Sequence, residues 1–295
     1  MDFTKIMSIM PIERKKQLQK VIDTLEIGER SEDTISNYVH AINRFFEYFK
    51  NKDISKLNEN DIVKYIKQKY LSNSCAASTY NMNICAIKYF YSVVFNKEFN
   101  RKLLPHAKLA KKLPSTVSKD MFIKIFNEEP DLKRKCWLLL AYSSGLRVEE
   151  IATLKIENIN SKEHQLKVYG KRKKERLTVI TDITIHYLRL YYTTTRFFSS
   201  KPKNGYLFKG NSYAEHISSS SITNYFTTLK KYYGLDDSVS FHSLRHSFAS
   251  NFIKAGGDPF VLKSMMGHSS LNTTSIYIHM GRDFNNLVGV NYDKI

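Results

Sequence analysis

Residues 165–180 read Gln165-Leu166-Lys167-Val168-Tyr169-Gly170-Lys171-Arg172-Lys173-Lys174-Glu175-Arg176-Leu177-Thr178-Val179-Ile180. Apolar and polar residues alternate over 165–169 and again over 176–180, the period of a half-buried strand. The run between them is polar and basic, so the stretch predicts a β-hairpin with a cationic tip. Helical spacing dominates on both sides of it. Downstream, helices are expected near 182–198, 218–233, 241–255, 259–266 and 272–280. Asp258-Pro259 is an N-cap followed by proline at the first helical position. Gly256-Gly257 and Gly267 mark helix ends. Upstream, helices are expected near 118–128, 131–143 and 147–154. The fold class is therefore mainly α with a small β-sheet (α+β).

Further upstream the pattern is helical throughout. Ile35, Tyr38, Ile42, Phe45, Phe46 and Phe49 recur at helical spacing behind Ser31-Glu32-Asp33-Thr34. A second set, Ile62, Tyr65 and Ile66, starts near Asn58. A third, Tyr80, Ile84, Ile87, Phe90 and Val94, starts near Ser78, and a helix over about 11–26 can join them. Such amphipathic helices make a small bundle. Residues 101–117 interrupt the pattern, with Arg101, Lys102, Lys108, Lys111 and Lys112 among Pro105 and Pro114, which predicts a linker. Two domains follow: a helical one over 1–110 and a mixed one over 111–295, with the boundary near 108–115.

The 295 residues carry 46 Lys and Arg against 28 Asp and Glu, a net charge of +18, and the sequence pI is about 9.6. So basic a chain points to a polyanion, most often nucleic acid. Residues 1–112 hold +8 and the remainder +10, so both domains are expected to face the same polyanion. Cys75, Cys85 and Cys136 lack C-x-x-C spacing and read as reduced thiols of a cytoplasmic protein. No apolar run approaches the roughly 18 residues a membrane span needs. The first 30 residues show no signal-peptide pattern.

Four stretches can carry chemistry. They are Ser144-Gly145-Leu146-Arg147-Val148-Glu149-Glu150, Lys171 in the hairpin tip, His242-Ser243-Leu244-Arg245-His246, and Gly267-His268-Ser269-Ser270 with Tyr277 beyond it. Taken singly, each has a plain structural explanation. H-x-x-R over 242–245 is a solvated helix face, and Arg147 with Glu150 is a surface ion pair. Basic residues crowded at the hairpin tip repel one another without an anion, which favours a phosphate-facing element. Taken together, two arginines, a lysine, two histidines and a tyrosine fit attack on a phosphodiester. Guanidinium forks can grip the non-bridging oxygens of a doubly negative pentavalent species. A phenol with a pKa near 10 needs a base or cationic stabilisation to act as nucleophile. The leaving 5′ oxygen needs a proton, which a lysine can supply.

These motifs, in this order, resemble the tyrosine recombinases, the family of phage integrases and Xer-type resolvases. The likeness covers about residues 113–280 closely, through S-G-L-R-V-E-E (144–150), G-K (170–171), H-S-L-R-H (242–246), G-H-S-S (267–270) and T-T-S-I-Y (273–277). It covers the first region more loosely, through S-E-D-T-I-S-N-Y (31–38) and the helix after Ser78. The resemblance implies a helical core-binding domain ahead of a mixed catalytic domain. It makes Arg147 and Arg245 the pair that holds the scissile phosphate. Lys171 protonates the leaving 5′ hydroxyl, His242 acts on the tyrosine proton, and His268 hydrogen-bonds the phosphate. Tyr277 becomes the nucleophile of a 3′-phosphotyrosine, and Glu150 supports the arginine and histidine geometry. His246 and His279 read as structural. Lys173 or Lys174 can compete with Lys171. Arg172, Lys173, Lys174, Arg176, Lys111 and Lys112 are expected DNA contacts.

The resemblance further implies double-stranded DNA as partner, a homotetramer on two DNA sites, and neither metal nor other cofactor. Accessory DNA-bending or directionality proteins are possible partners, and a cytoplasmic location is expected. Phe284, Leu287, Val288 and Val290 in the tail can dock into a neighbouring subunit or pack on their own domain. No arm-binding domain is apparent ahead of residue 11, as in a simple Xer-like system or a small mobile-element recombinase. The rival readings are a type IB topoisomerase-like enzyme, a non-catalytic DNA-binding relative, and a metal-dependent nuclease. The nuclease needs clustered carboxylates, whereas the acidic residues here are scattered.

Overall fold

The computed structural model describes residues 3–71, 75–99, 104–108, 113–170, 175–197, 205–210 and 215–267. The chain divides into two compact units, Met1–Lys111 and Lys112–Ile295.

The first unit is helical: α1 Thr4–Ser8, α2 Ile12–Ile27, α3 Glu32–Tyr48, α4 Glu59–Ile66 and α5 Ala77–Phe95. The apolar stripes expected from the sequence meet in one core, in which Val39, Ile42, Phe45, Ile62, Tyr65, Phe90 and Tyr91 are wholly buried. Helix α4 starts where its chemistry dictates. Asn58 Oδ1 accepts the Asp61 backbone N–H at 3.0 Å and Asp61 Oδ2 accepts that of Asn58 at 3.2 Å, a reciprocal cap. Helix α1 and a short 3₁₀ turn at Ile54–Lys56 have no counterpart in the sequence reading, because they are too short to show a period. The expected linker is tied down in part. Leu104 is buried, its carbonyl accepts from Lys88 Nζ at 2.9 Å, and Asn81 exchanges two hydrogen bonds with Ala107. Residues 104–107 thus belong to the α5 surface.

The second unit contains α6 Lys119–Glu128, α7 Leu132–Tyr142, α8 Val148–Ala152, strands β1 Ile159–Asn160, β2 Gln165–Tyr169 and β3 Glu175–Val179, then α9 Asp182–Phe197, α10 Ser219–Tyr232, α11 Phe241–Lys254 and α12 Pro259–Met266. The hairpin is present, with Leu166 opposite Thr178 and Val168 opposite Arg176. A third antiparallel strand, β1, pairs with β2 to give the order β1-β2-β3. Two residues cannot show alternation, so β1 is invisible in the sequence. Helix α7 is buried from Cys136 to Tyr142 and forms the centre of the main core. Phe248, Ala249, Leu262, Met265 and Met266 make a smaller cluster joining α11 to α12. The expected helix near 272–280 lies outside the described residues. Cys75 and Cys85 are half-buried, and Cys136 is buried, where desolvation first, and then Asp131, pushes its thiol up to about 12. No described helix is long and apolar enough to cross a membrane.

Candidate active site

Three segments distant in sequence converge in the second unit. The first is the turn from α7 into α8. Gly145 adopts φ +67°, a region open to glycine at little cost, and this conformation lets the chain reverse between the two helices. Leu146 N–H then closes back on the Leu140 carbonyl at 3.1 Å. Arg147 is placed at the N-cap of α8. The second segment is β3, where Thr178 Oγ1 donates to the Ser144 carbonyl at 2.8 Å and fixes the strand to that turn. The third is the α11–α12 pair, which brings Arg245 and the C-terminal carbonyls of α12 to the same place.

Glu150 lies at the centre, with its side chain 2% exposed. Its Oε2 accepts the Arg147 backbone N–H at 2.7 Å and Arg176 Nη2 at 2.6 Å, and its Oε1 accepts Arg147 Nη1 at 3.0 Å. Arg245 Nη1 stands 3.8 Å from Oε2 and donates to the Gly145 carbonyl. The same three guanidinium groups cap the end of α12. Arg147 Nη2 donates to the Met266 carbonyl at 3.2 Å, Arg245 Nη2 donates to that carbonyl as well, and Arg176 Nη1 donates to the Met265 carbonyl. Cations at a helix C-terminus interact favourably with its partial negative charge. Burial alone raises the Glu150 pKa. Arg176, the Arg147 N–H, Arg245 and Arg147 outweigh it and hold the carboxyl below the ordinary glutamate value. Three guanidinium groups against one carboxylate leave two net positive charges in the cluster.

His242 shares a face of α11 with Arg245, as the three-residue spacing requires. Its ring stands edge-on to His246, with centroids 4.7 Å apart, and the residue as a whole remains open to solvent. Partial desolvation, then the positive charges of Arg245 and Arg147, hold its pKa below that of an ordinary histidine, against a smaller opposite pull from Glu150. Neutral imidazole can accept a proton.

Of the residues singled out from sequence, Arg147, Glu150, His242 and Arg245 come together. Lys111, Lys112, Lys171, Arg172, Lys173, Lys174, His268, Tyr277 and His279 lie outside the described residues, as do Phe284, Leu287, Val288 and Val290. Arg176 corrects an expectation. Its neighbours in the hairpin tip suggest a DNA contact, yet its side chain is 7% exposed and bonded to Glu150. The reason is strand alternation. Arg176 stands opposite buried Val168 and shares its face with buried Thr178. An arginine on the inward register of a strand is the signal for a buried cation. Gly267 does more than stop a helix. It has φ +62°, and a Cβ there would lie 2.7 Å from Arg176 Cδ, so it also gives the arginine room. Among the described residues no group of three or more His, Cys, Asp or Glu is arranged to hold a metal ion.

Comparison with known proteins decides the family. The model of the phage integrase family matches residues 117–282, and that of the phage integrase N-terminal SAM-like domain matches residues 18–101. The chain belongs to the tyrosine recombinase family. It is 32% identical over 274 residues to the tyrosine recombinase XerD of Rickettsia prowazekii, spanning 85% of this chain and 88% of that one. It is 30% identical over 264 residues to the tyrosine recombinase XerA of Pyrococcus horikoshii, spanning 88% and 87%. Two solved structures share the recombinase fold at low identity. One is XerH bound to its palindromic difH substrate in a post-cleavage complex, with TM-score 0.67, 19% identity, and 84% of this chain against 77% of that one. The other is a λ integrase dimer bound to a COC′ core site, with TM-score 0.68, 17% identity, and 89% against 94%. Tyrosine recombinases are DNA strand-exchange enzymes, and the recombinase described here is a site-specific member of that class.

Proposed function

We propose that the recombinase cuts and rejoins duplex DNA through a 3′-phosphotyrosine on Tyr277, and that Arg147 and Arg245 are the forks that hold the scissile phosphate. The observation that carries this reading is the guanidinium cluster around Glu150, whose charge balance and donor geometry suit a phosphate. The phenol oxygen of Tyr277 forms a bond to phosphorus while the bond to the 5′ oxygen breaks. The phenolic proton leaves to a base, for which His242 has the required neutral form. The departing 5′ oxygen takes a proton from the hairpin, with Lys171 the first choice and Lys173 or Lys174 the competitors. His268 adds a hydrogen bond to the phosphate. The pentavalent species carries two negative charges, which the cluster's two net positive charges balance. Transesterification conserves the bond energy, so the freed 5′ hydroxyl of a partner strand can reverse it without ATP.

Double-stranded DNA is the partner that this charge and these relatives support, with most contacts to phosphates and affinity falling steeply with salt. Four copies on two sites, a Holliday junction between the two exchanges, accessory DNA-bending or directionality proteins and a cytoplasmic location complete the reading. The test is a suicide duplex that traps the covalent complex, followed by sequencing of the attached strand. Wild type is expected to give an SDS-resistant adduct. Tyr277→Phe is expected to bind DNA and give none, and an adduct from Tyr277→Phe rules out the assignment. Relaxation of a supercoiled plasmid without strand exchange would favour a type IB topoisomerase-like activity instead.

A further inference from the structure

We infer that Arg176 is a positioning residue for DNA cleavage. By holding Glu150 it keeps that carboxylate from drawing Arg245 out of the site, and it keeps two net positive charges available to the scissile phosphate. The inference rests on the cleavage reading above.

The geometry behind it is a competition for one oxygen. Glu150 Oε2 is bonded by Arg176 Nη2 at 2.6 Å, while Arg245 Nη1 waits 3.8 Å away and donates to Gly145. A carboxylate buried to this depth cannot stay without a cation. If Arg176 is removed, the nearest replacement for Oε2 is Arg245, whose Nη1 must then leave the Gly145 carbonyl. The cluster also falls from three cations against one anion to two against one. Arg176 does this without reaching DNA. It is buried on the inward face of β3, with one end bonded to Glu150 and the other to the Met265 carbonyl. Desolvation lowers its own pKa, and Glu150 opposes that shift. A charge held at this depth is thus directed at Glu150 rather than solvent. A buried arginine of purely structural value would matter to the fold but not to the charge on the phosphate, and that difference can be measured.

The experiment compares covalent adduct formation on two suicide duplexes bearing the recombinase's own cleavage site. One has the ordinary phosphate. The other has a methylphosphonate there, in which a methyl group replaces one non-bridging oxygen. The second linkage is neutral, so its pentavalent species carries one negative charge instead of two and needs less cation. On the phosphate, Arg176→Gln is expected to form adduct on the order of tenfold to a hundredfold more slowly than wild type, the effect of one unit charge at a protein-like dielectric. On the methylphosphonate the same variant is expected to fall within about threefold of wild type, because the missing charge is no longer needed. Arg176→Lys, which keeps the charge, is expected to stay within about tenfold on the phosphate. DNA affinity and its salt slope should change little, because at most one of many phosphate contacts is disturbed.

Equal slowing of Arg176→Gln on both linkages overturns the inference, and so does Arg176→Lys as slow as Arg176→Gln. A wild type that forms no adduct on the phosphate defeats the cleavage reading itself. If Arg176→Gln fails to fold, the double variant Glu150→Gln/Arg176→Gln carries the test. It removes Arg176 together with the carboxylate that Arg176 holds and restores two net positive charges, while the amide oxygen introduced by Glu150→Gln can still accept the Arg147 N–H. It is expected to cleave the phosphate within about tenfold of wild type, and a folded double variant slowed more than about a hundredfold overturns the inference.

Discussion

Gly145→Ala should damage the fold and the site together, and by an amount that can be divided into two parts. Gly145 has φ +67°, and a Cβ built there would lie 2.4 Å from Cδ1 and 2.8 Å from Cε1 of Phe248. Holding alanine in the left-handed region costs roughly 1–2 kcal/mol. The ring cannot simply yield, because Phe248 is 2% exposed and packed among Ala249, Leu262, Met265 and Met266. Forcing a methyl group into such a core costs roughly another 1–3 kcal/mol. The total is roughly 2–5 kcal/mol, which lowers the melting midpoint by about 4–20 °C in a unit of this size. Phe248 is three residues beyond Arg245 on α11, and the Gly145 carbonyl is an acceptor for Arg245, so adduct formation should fall with stability. The two parts separate in a double-variant cycle followed by urea denaturation. Phe248→Leu alone loses packing. Combined with Gly145→Ala it removes the clash and leaves only the backbone term, so the pair should couple favourably by about 1–3 kcal/mol. Strict additivity of the two single variants would refute the reasoning, because it would mean the ring and the new methyl group never meet.

Glu150→Ala leaves Arg176 and Arg245, 7% and 1% exposed, without their countercharge. It should cost about 3–5 kcal/mol by denaturant unfolding, and a loss below about 1 kcal/mol would show that the arginines find other partners. His242 should titrate below the ordinary imidazole value of 6.5, read from its Cε1–H resonance, and phosphate or DNA bound beside it should raise that midpoint. The sign for stability follows. As pH falls below about 6.5 the unfolded chain protonates this histidine first. Stability therefore declines until the folded ring takes its own proton, and His242→Gln should remove that part of the decline. A His242 midpoint at or above 6.5 in the free protein contradicts the assignment.

Much of the fold is legible in the sequence because it is periodic. The α3 stripe of Ile35, Ile42, Phe45 and Phe46 and the alternation of 165–169 each repeat often enough to fix an element and its buried face. Asn58 with Asp61 and Asp258 with Pro259 mark helix starts, since caps use specific side chains. Strand β1 and helix α1 are not legible, because two and five residues carry no period. The site divides in a similar way. Arg147, His242 and Arg245 can be chosen by residue type and order. The inward turn of Arg176 is readable from the strand period, but its position beside a run of surface cations places it in the wrong group. The Met265 and Met266 carbonyls are beyond reach, because backbone acceptors have no residue signature and take their place only when α12 packs on α11.

In the proposed reaction, those carbonyls aim two arginines about a hundred residues apart before substrate arrives. Each guanidinium is bonded at two places. Arg147 holds Glu150 through Nη1 and the Met266 carbonyl through Nη2, while Arg245 holds the Gly145 and Met266 carbonyls. Both forks therefore meet at one oxygen at the negative end of α12. A neutral carbonyl gives a guanidinium a hydrogen bond with no opposite charge, whereas a phosphate oxygen adds the attraction of an ion pair and can take both arms of the fork. The ordering of two long side chains is thus supplied on folding by weak acceptors, and a phosphate has only to outcompete a carbonyl rather than collect two flexible arms. Glu150 bridges Arg147 and Arg176, and Arg245 stands 3.8 Å from the same carboxylate. On the proposed cleavage reading, each cation's loss is distinct: removing Arg147 or Arg245 removes a grip, and removing Arg176 misdirects a grip that is still present.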